Sequence, residues 1–194
     1  MKGEADMEKI DLYRKDRSKT GLIAERGQPI PPGCYWLVIH VSLFDHAGRM
    51  LIQKRSCSKK QWAGYWDLST AGGVLSEENS QEAAEREFLE ELGQKIEIPD
   101  QPALTVSFPN GFDDFFLAEI PEGSEYENLD FYRLDRGEVT DLAWADQKTI
   151  LKMVENGEFV NYHPSLISLL FGLHQNQSVF SAPEKTKPEC AEEN

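Results

Sequence analysis

Residues 78–93 read ENSQEAAEREFLEELG, with six glutamates (Glu78, Glu82, Glu85, Glu87, Glu90 and Glu91) and one basic residue, Arg86. On a helix turning about 100° per residue, with Phe88 at zero, Glu91 falls at about −60°, Glu87 at about −100° and Glu90 at about −160°. These three carboxylates share a sector beside the apolar stripe Ala84, Phe88 and Leu92, while Arg86, at about +160°, points elsewhere. Like charges three and four residues apart repel by about a few tenths of a kcal/mol per pair in water, and nothing basic within the helix offsets this. Such a sector is either an ordinary solvated acidic face or a set of ligands. A hard divalent cation would turn the repulsion into coordination. Mg2+ prefers oxygen, keeps several waters, and binds one or two carboxylates together with substrate phosphates. The chemistry that suits it is attack of water on phosphorus.

The elements that must position these groups are marked in the surrounding sequence. Asn79 is a suitable N-cap, with Glu82 three residues on as its capping-box partner, and Gly93 suits the C-terminal turn. DLSTAGGV (67–74) reads as a short strand ending in Gly72 and Gly73, where backbone can approach a ligand closely. Glu78 sits at the helix start, where the helix dipole favours a carboxylate, and can turn back to brace Arg86. IDLYRKDRSKTGLIAERG (10–27) reads as two strands about a polar turn, CYWLVIHVSLF (34–44) as a central strand, and the run to Arg55 as its hairpin partner. Strands are expected at 103–108, 113–120 and 138–145, and helices at 80–92, 146–157 and 163–175. Strands, one internal helix, more strands and then helices fit a mixed α+β sandwich. Residues 1–9 read as a frayed start, 10–176 as one domain, and 177–194 as a disordered acidic tail.

The full spacing, Gly72, five residues, Glu78, seven residues, then Arg86-Glu87-Phe88-x-Glu90-Glu91-x-Gly93, resembles the Nudix box. Gln94 departs from its final bulky aliphatic position. The resemblance implies a loop–helix–loop box in an α/β/α sandwich with a mixed sheet. It implies Mg2+ or Mn2+ as cofactor and cleavage of a diphosphate joined to another group. By position, Glu87, Glu90 and Glu91 would be metal ligands, and Glu78 and Arg86 the bracing pair. The order LYRKDRSKTG followed by LFDHAGRMLIQKRSCSKKQWAGYWDLSTAGG resembles isopentenyl-diphosphate isomerase and its hydrolase-like relatives. That isomerase pattern needs a cysteine before the box glycine and a histidine after it. Here Ala71 and Gly73 stand there, and Trp36 falls where a metal-binding histidine is expected. Without that cysteine no acid–base partner for an alkene is evident, so hydrolysis is favoured.

Outside the box, Arg55 is expected to point toward the box loop and clamp a diphosphate, with Lys54 on the other face. Glu138 resembles the strand-start glutamate that approaches the metal or activates water. Asp113 and Asp114 are weaker candidates. Trp62, Tyr65 and Trp66 could stack on a flat group or merely pack their loop. His40 reads as a hydrogen-bonded core histidine, and His163 has no assigned chemistry. Gly72 and Gly73, with Arg55, Trp62 and Tyr65, make up the expected substrate-binding set.

The 194-residue chain has a formal charge of −14 and no basic stripe. That argues against a nucleic acid polymer or an anionic membrane as partner. It leaves open a small phosphorylated substrate, because a bound metal reverses the local sign of charge. Cys34, Cys57 and Cys190 are scattered, without a CxxC pair, which argues against a disulfide framework or thiolate zinc. No signal-peptide core or membrane-length apolar run is present, so a cytoplasmic location is expected. The expected substrate is a nucleoside phosphate, a nucleotide sugar or another organic diphosphate, and a homodimer is compatible with the fold.

Overall fold

A computed structural model describes residues 7–176, so the expected tail at 177–194 lies outside the described residues. An N-terminal hairpin, β1 (Lys9–Tyr13) and β2 (Lys19–Glu25), precedes the main sheet. The sheet is built from β3 (Trp36–Phe44), β4 (Met50–Arg55), β5 (Trp66–Asp67), β6 (Thr70–Gly73), β7 (Leu104–Phe108), β8 (Gly111–Glu119) and β9 (Val139–Ala145). Helix α1 (Ser80–Leu92) covers one face, and α2 (Gln147–Glu155) and α3 (Pro164–Asn176) cover the other. The result is the expected mixed α+β sandwich: β3 runs parallel to β8, and the other pairings are antiparallel.

β3 is central because its sequence is buried on both sides. Leu37, Ile39, Val41 and Leu43 join the core beneath α1, with Ala84, Phe88 and Leu92. Phe44 faces the other core, with Phe115, Phe159 and Phe171. Burying each such side chain is worth about 1.5–3 kcal/mol, so the two apolar faces lock the strand's rotation and its register.

One edge of β3 is divided between two partners. Its end pairs with β4 only at Phe44 and Met50, while Val38 to Val41 pair with β6. Ser69 fills the fork. Its hydroxyl accepts from the Leu43 N–H at 2.8 Å and donates to the Leu51 carbonyl at 2.6 Å. β4 and β6 therefore diverge beneath α1 instead of closing into a ladder, and the fork is where the site forms.

The N-terminal hairpin starts at Lys9, inside the stretch expected to fray, and it holds the loop before α1. The Asp11 carboxylate accepts from the Ser76 hydroxyl at 2.9 Å and the Glu77 N–H at 3.2 Å, while Lys19 pairs with it at 2.6 Å. The hairpin turn sends Arg17, at a left-handed φ of 66°, onto Asp114 at 2.7 and 2.6 Å. Asp114 is fully buried and also accepts from Ser80 and Thr105 at 2.6 Å each. This junction ties the hairpin, α1, β7 and β8 together, and it leaves no ligand role for Asp114. Burial opposes ionisation of Asp114. The hydrogen bonds from Arg17, Ser80 and Thr105 overcome it and hold the carboxyl below its ordinary value. Its contribution is thus present at neutral pH and lost in acid. Replacing Asp114 by Ala should cost on the order of 2–3 kcal/mol, read as a lower urea midpoint at pH 7, and the difference should shrink below about pH 4.

Candidate functional site

α1 begins and ends as its sequence dictates. The Asn79 side chain accepts from the Glu82 N–H at 3.0 Å, the Glu82 carboxylate accepts from the Asn79 N–H at 2.8 Å, and Gly93 closes the helix with a φ of 68°. The final position of the spacing, Gln94, donates to the Phe131 carbonyl at 2.5 Å, a polar tie in place of an apolar contact.

Arg86 does not point away from the acidic sector as expected; on the wheel it stands only about 40° from Glu90. Its long side chain reaches Glu78 at 2.7 and 3.0 Å, Glu87 at 2.9 Å, Glu90 at 3.1 Å and the Gly73 carbonyl at 3.0 Å. Glu90 is four residues on, within reach of a flexible guanidinium. Glu78 also accepts from the Leu75 N–H at 2.6 Å, so the Arg86–Glu78 pair closes the loop onto the helix. Burial alone would lower the Arg86 pKa. The bond to Glu78 and the field of Glu87 outweigh it and raise the value instead.

Glu87 is buried against the backbone of Gly72, where a Cβ would overlap the carboxylate. Glu91 bridges the fork in the sheet: Gln53 of β4 donates to it at 3.0 Å, and Thr70 of β6 donates from the other side. Burial raises the pKa of both carboxyls. That of Glu91 is pushed up to about 7, with the Thr70 bond acting against the shift, and Arg86 partly offsets the rise at Glu87.

Glu87, Glu90 and Glu91 line a cleft of about 330 Å³ together with Glu138, Asp135, Glu8, Ala71, Arg26 and Lys59. Glu138, at the foot of β9, is paired with Lys59, and Glu8 with Arg26 at 2.6 Å. Sequence reasoning missed Lys59, Arg26, Glu8 and Asp135. No periodicity marks them, because each reaches the cleft from a loop or strand end.

Other expected substrate residues are placed elsewhere. Arg55 donates to Asp67 at 3.0 Å and does not line the cleft. A break in the β4–β9 register between Lys54 and Arg55 upsets the simple alternation. Asp67 accepts in turn from Tyr162 at 2.9 Å, and Tyr162 lies 3.4 Å from His40. His40 stacks on Phe115 and meets Asp113 at 3.2 Å, so it is a hydrogen-bonded core histidine. Trp62 and Tyr65 meet edge to face at 5.3 Å and lie outside the cleft lining, and Trp66 sits under Lys54.

Among the described residues, no three acidic, histidine or cysteine side chains are already gathered about one point. The donor set nevertheless fits a hard cation. Among the described residues, six carboxylates face two basic side chains across the cleft. Two of them, Glu87 and Glu91, are held where burial disfavours their charge, a cost a divalent ion would relieve.

The raised pKa of Glu91 has a measurable sign. Its folded-state value of about 7 lies above the ordinary 4.5, so the unfolded chain gives up this proton first and stability falls as pH rises between the two. In excess chelator, Glu91→Gln should therefore stabilise the protein at pH 8, by on the order of 3 kcal/mol, and give no gain at pH 4. Urea denaturation at the two pH values checks this, and an equal effect at both would contradict the assignment.

A NUDIX domain model matches residues 36–164. An uncharacterized Nudix hydrolase of Listeria monocytogenes is 39% identical over 168 residues, 86% of this chain and 95% of the relative. An isopentenyl-diphosphate Delta-isomerase of Leifsonia xyli is 30% identical over 158 residues, 71% of this chain and 82% of that enzyme. A crystal structure of a Deinococcus radiodurans protein superposes with a TM-score of 0.65 at 22% identity, covering 84% of this chain and 97% of that one. No helix among the described residues is long and apolar enough to cross a membrane. With the domain matched across the whole main sheet and a hydrolase relative matched over nearly its full length, the chain belongs to the Nudix family and is an enzyme of its hydrolase group.

Proposed function

We propose that this enzyme cleaves the diphosphate linkage of a nucleoside phosphate or related organic diphosphate by attack of water on phosphorus, with Mg2+ or Mn2+ as cofactor. The observation that carries this reading is the placing of Glu87, Glu90, Glu91 and Glu138 in one cleft beside the strand-end glycines. When bound, the metal would polarise phosphoryl oxygens and acidify a water. Glu87, Glu90 and Glu91 would hold it. Gly72 makes room for Glu87, and Arg86 and Glu78 keep the helix and loop in register. Lys59 and Arg26, the basic side chains lining the cleft, are the candidates to bind phosphate oxygens, a role expected of Arg55 from the sequence. Glu138, at the start of β9, is the candidate to take the proton of the attacking water.

The isomerase relatives give a second reading its interest. Alkene isomerisation needs a proton donor and acceptor on either side of the double bond. Here Ala71 lines the cleft where the isomerase pattern has its cysteine, and among the described residues no thiol lines it.

Nucleoside di- and triphosphates, nucleotide sugars, dinucleotides and prenyl diphosphates, assayed for phosphate release with Mg2+ and Mn2+, test the reading. Cleavage of at least one is expected. Interconversion of isopentenyl diphosphate with no cleavage of any would defeat it. Glu90→Gln should lower kcat/KM by on the order of 10²-fold or more while the folded spectrum is kept. Titration calorimetry should show saturable Mn2+ binding, weakened in Gly72→Ala because the added methyl displaces the Glu87 carboxylate.

A further inference from the structure

We infer that an apolar pocket at the foot of the N-terminal hairpin is a nucleobase subsite adjoining the acidic cleft. The pocket holds about 500 Å³ and is walled by Trp36, Phe108, Pro29 and Pro109, with Gln28 and Asn110 exposed at its rim. Two observations set it beside the cleft. A Cβ on Gly73 would lie 3.4 Å from the Trp36 ring and 3.4 Å from Nε of Arg26, so the last residue of β6 sits between the aromatic wall and a cation of the cleft. Gly27 lines the pocket immediately after Arg26, which lines the cleft. Arg26 thus stands between the acidic cleft and the Trp36 wall, and a ligand with its phosphates in the cleft would have its next group on the side of Trp36.

The walls are fixed in place. The Trp36 N–H donates to the Asn110 carbonyl at 3.1 Å, which pins the β7–β8 turn against the start of β3. The Phe108 ring meets the indole at 87° with centroids 6.2 Å apart. Phe108 lies over Gly111, where a Cβ would strike its ring. Trp36 remains partly exposed, so ring surface is open to a planar ligand. The side-chain amides of Gln28 and Asn110 each offer donors and an acceptor, the complement a base edge requires and a hydrocarbon chain cannot use. The volume is in the range of small-ligand sites, about 300–1,000 Å³.

The inference builds on the diphosphate reading and is tested apart from it. Adenosine monophosphate and inorganic pyrophosphate are titrated into wild type, Trp36→Phe and Trp36→Ala, without turnover, by calorimetry and tryptophan fluorescence. Adenosine monophosphate should quench a signal that Trp36→Phe lacks. Trp36→Ala should bind it about tenfold or more weakly, Trp36→Phe should keep most of the affinity, and pyrophosphate binding should be unchanged. If Trp36→Ala fails to fold, Phe108→Leu is read with the same expectation. Unaltered nucleotide affinity in the variants would overturn the inference. So would isopentenyl diphosphate binding more tightly than adenosine diphosphate and losing that advantage in Trp36→Ala. Binding through Trp36 without cleavage of any diphosphate would defeat only the hydrolase reading. Cleavage indifferent to Trp36 would defeat only the subsite.

Discussion

Three carboxylates of one short segment, Glu78, Glu87 and Glu90, share the guanidinium of Arg86, which also holds the carbonyl of the last strand residue, Gly73. Two unit charges 4 Å apart interact by about 4 kcal/mol near a protein surface, so acidic groups this dense need a compensating charge to fold at all. Arg86 supplies it from within the helix and ties the loop, helix and strand into one unit. Its planar fork suits this in a way lysine's point charge would not. The compensation is incomplete. Glu91 takes only neutral hydrogen bonds and remains a buried carboxyl whose charge is disfavoured. A protein built only for stability would not place it there, and such local cost is common where function requires it.

The sheet is shaped around the same need. Were β4 to pair with β3 along its length, no gap would exist beneath α1. Ser69 takes over the Leu43 N–H and the Leu51 carbonyl, so the fork opens without stranding those groups in the interior. Gln53 and Thr70 then face each other across the gap and hold Glu91 from both strands. The site is thus a consequence of imperfect strand pairing, stabilised by a single hydroxyl.

What the sequence made legible was local. The capping box, the stripe of Ala84, Phe88 and Leu92 and the central place of β3 all follow from spacing and residue type, whereas Gly72, expected to let backbone approach a ligand, makes room for the Glu87 carboxylate. What it hid depended on irregular backbone or distant chain. Strand alternation put Arg55 toward the box loop, but the register break beside Lys54 upsets that alternation, and the side chain pairs with Asp67. Arg86 and Glu90 stand only about 40° apart on the wheel, so setting Arg86 outside the acidic sector overlooked its neighbour one turn on, which it touches. Lys59 and Arg26 reach the cleft only because the 56–65 loop and the end of β2 fold back over it. Asp114 looked like a spare acid beside Asp113. Its role appears only once Arg17, far away in sequence, arrives through the hairpin turn.

The N-terminal hairpin lies ahead of residue 36, where the recognised domain match begins, yet Asp11 holds the loop before α1 and Glu8 and Arg26 complete the cleft. A boundary drawn by family likeness would therefore cut through the working unit. The matched domain carries the acidic cluster of α1, and the hairpin ahead of it sets the shape of the cleft and part of its charge. Divergence in that short leading segment could retune the enzyme while every glutamate of the box stays unchanged.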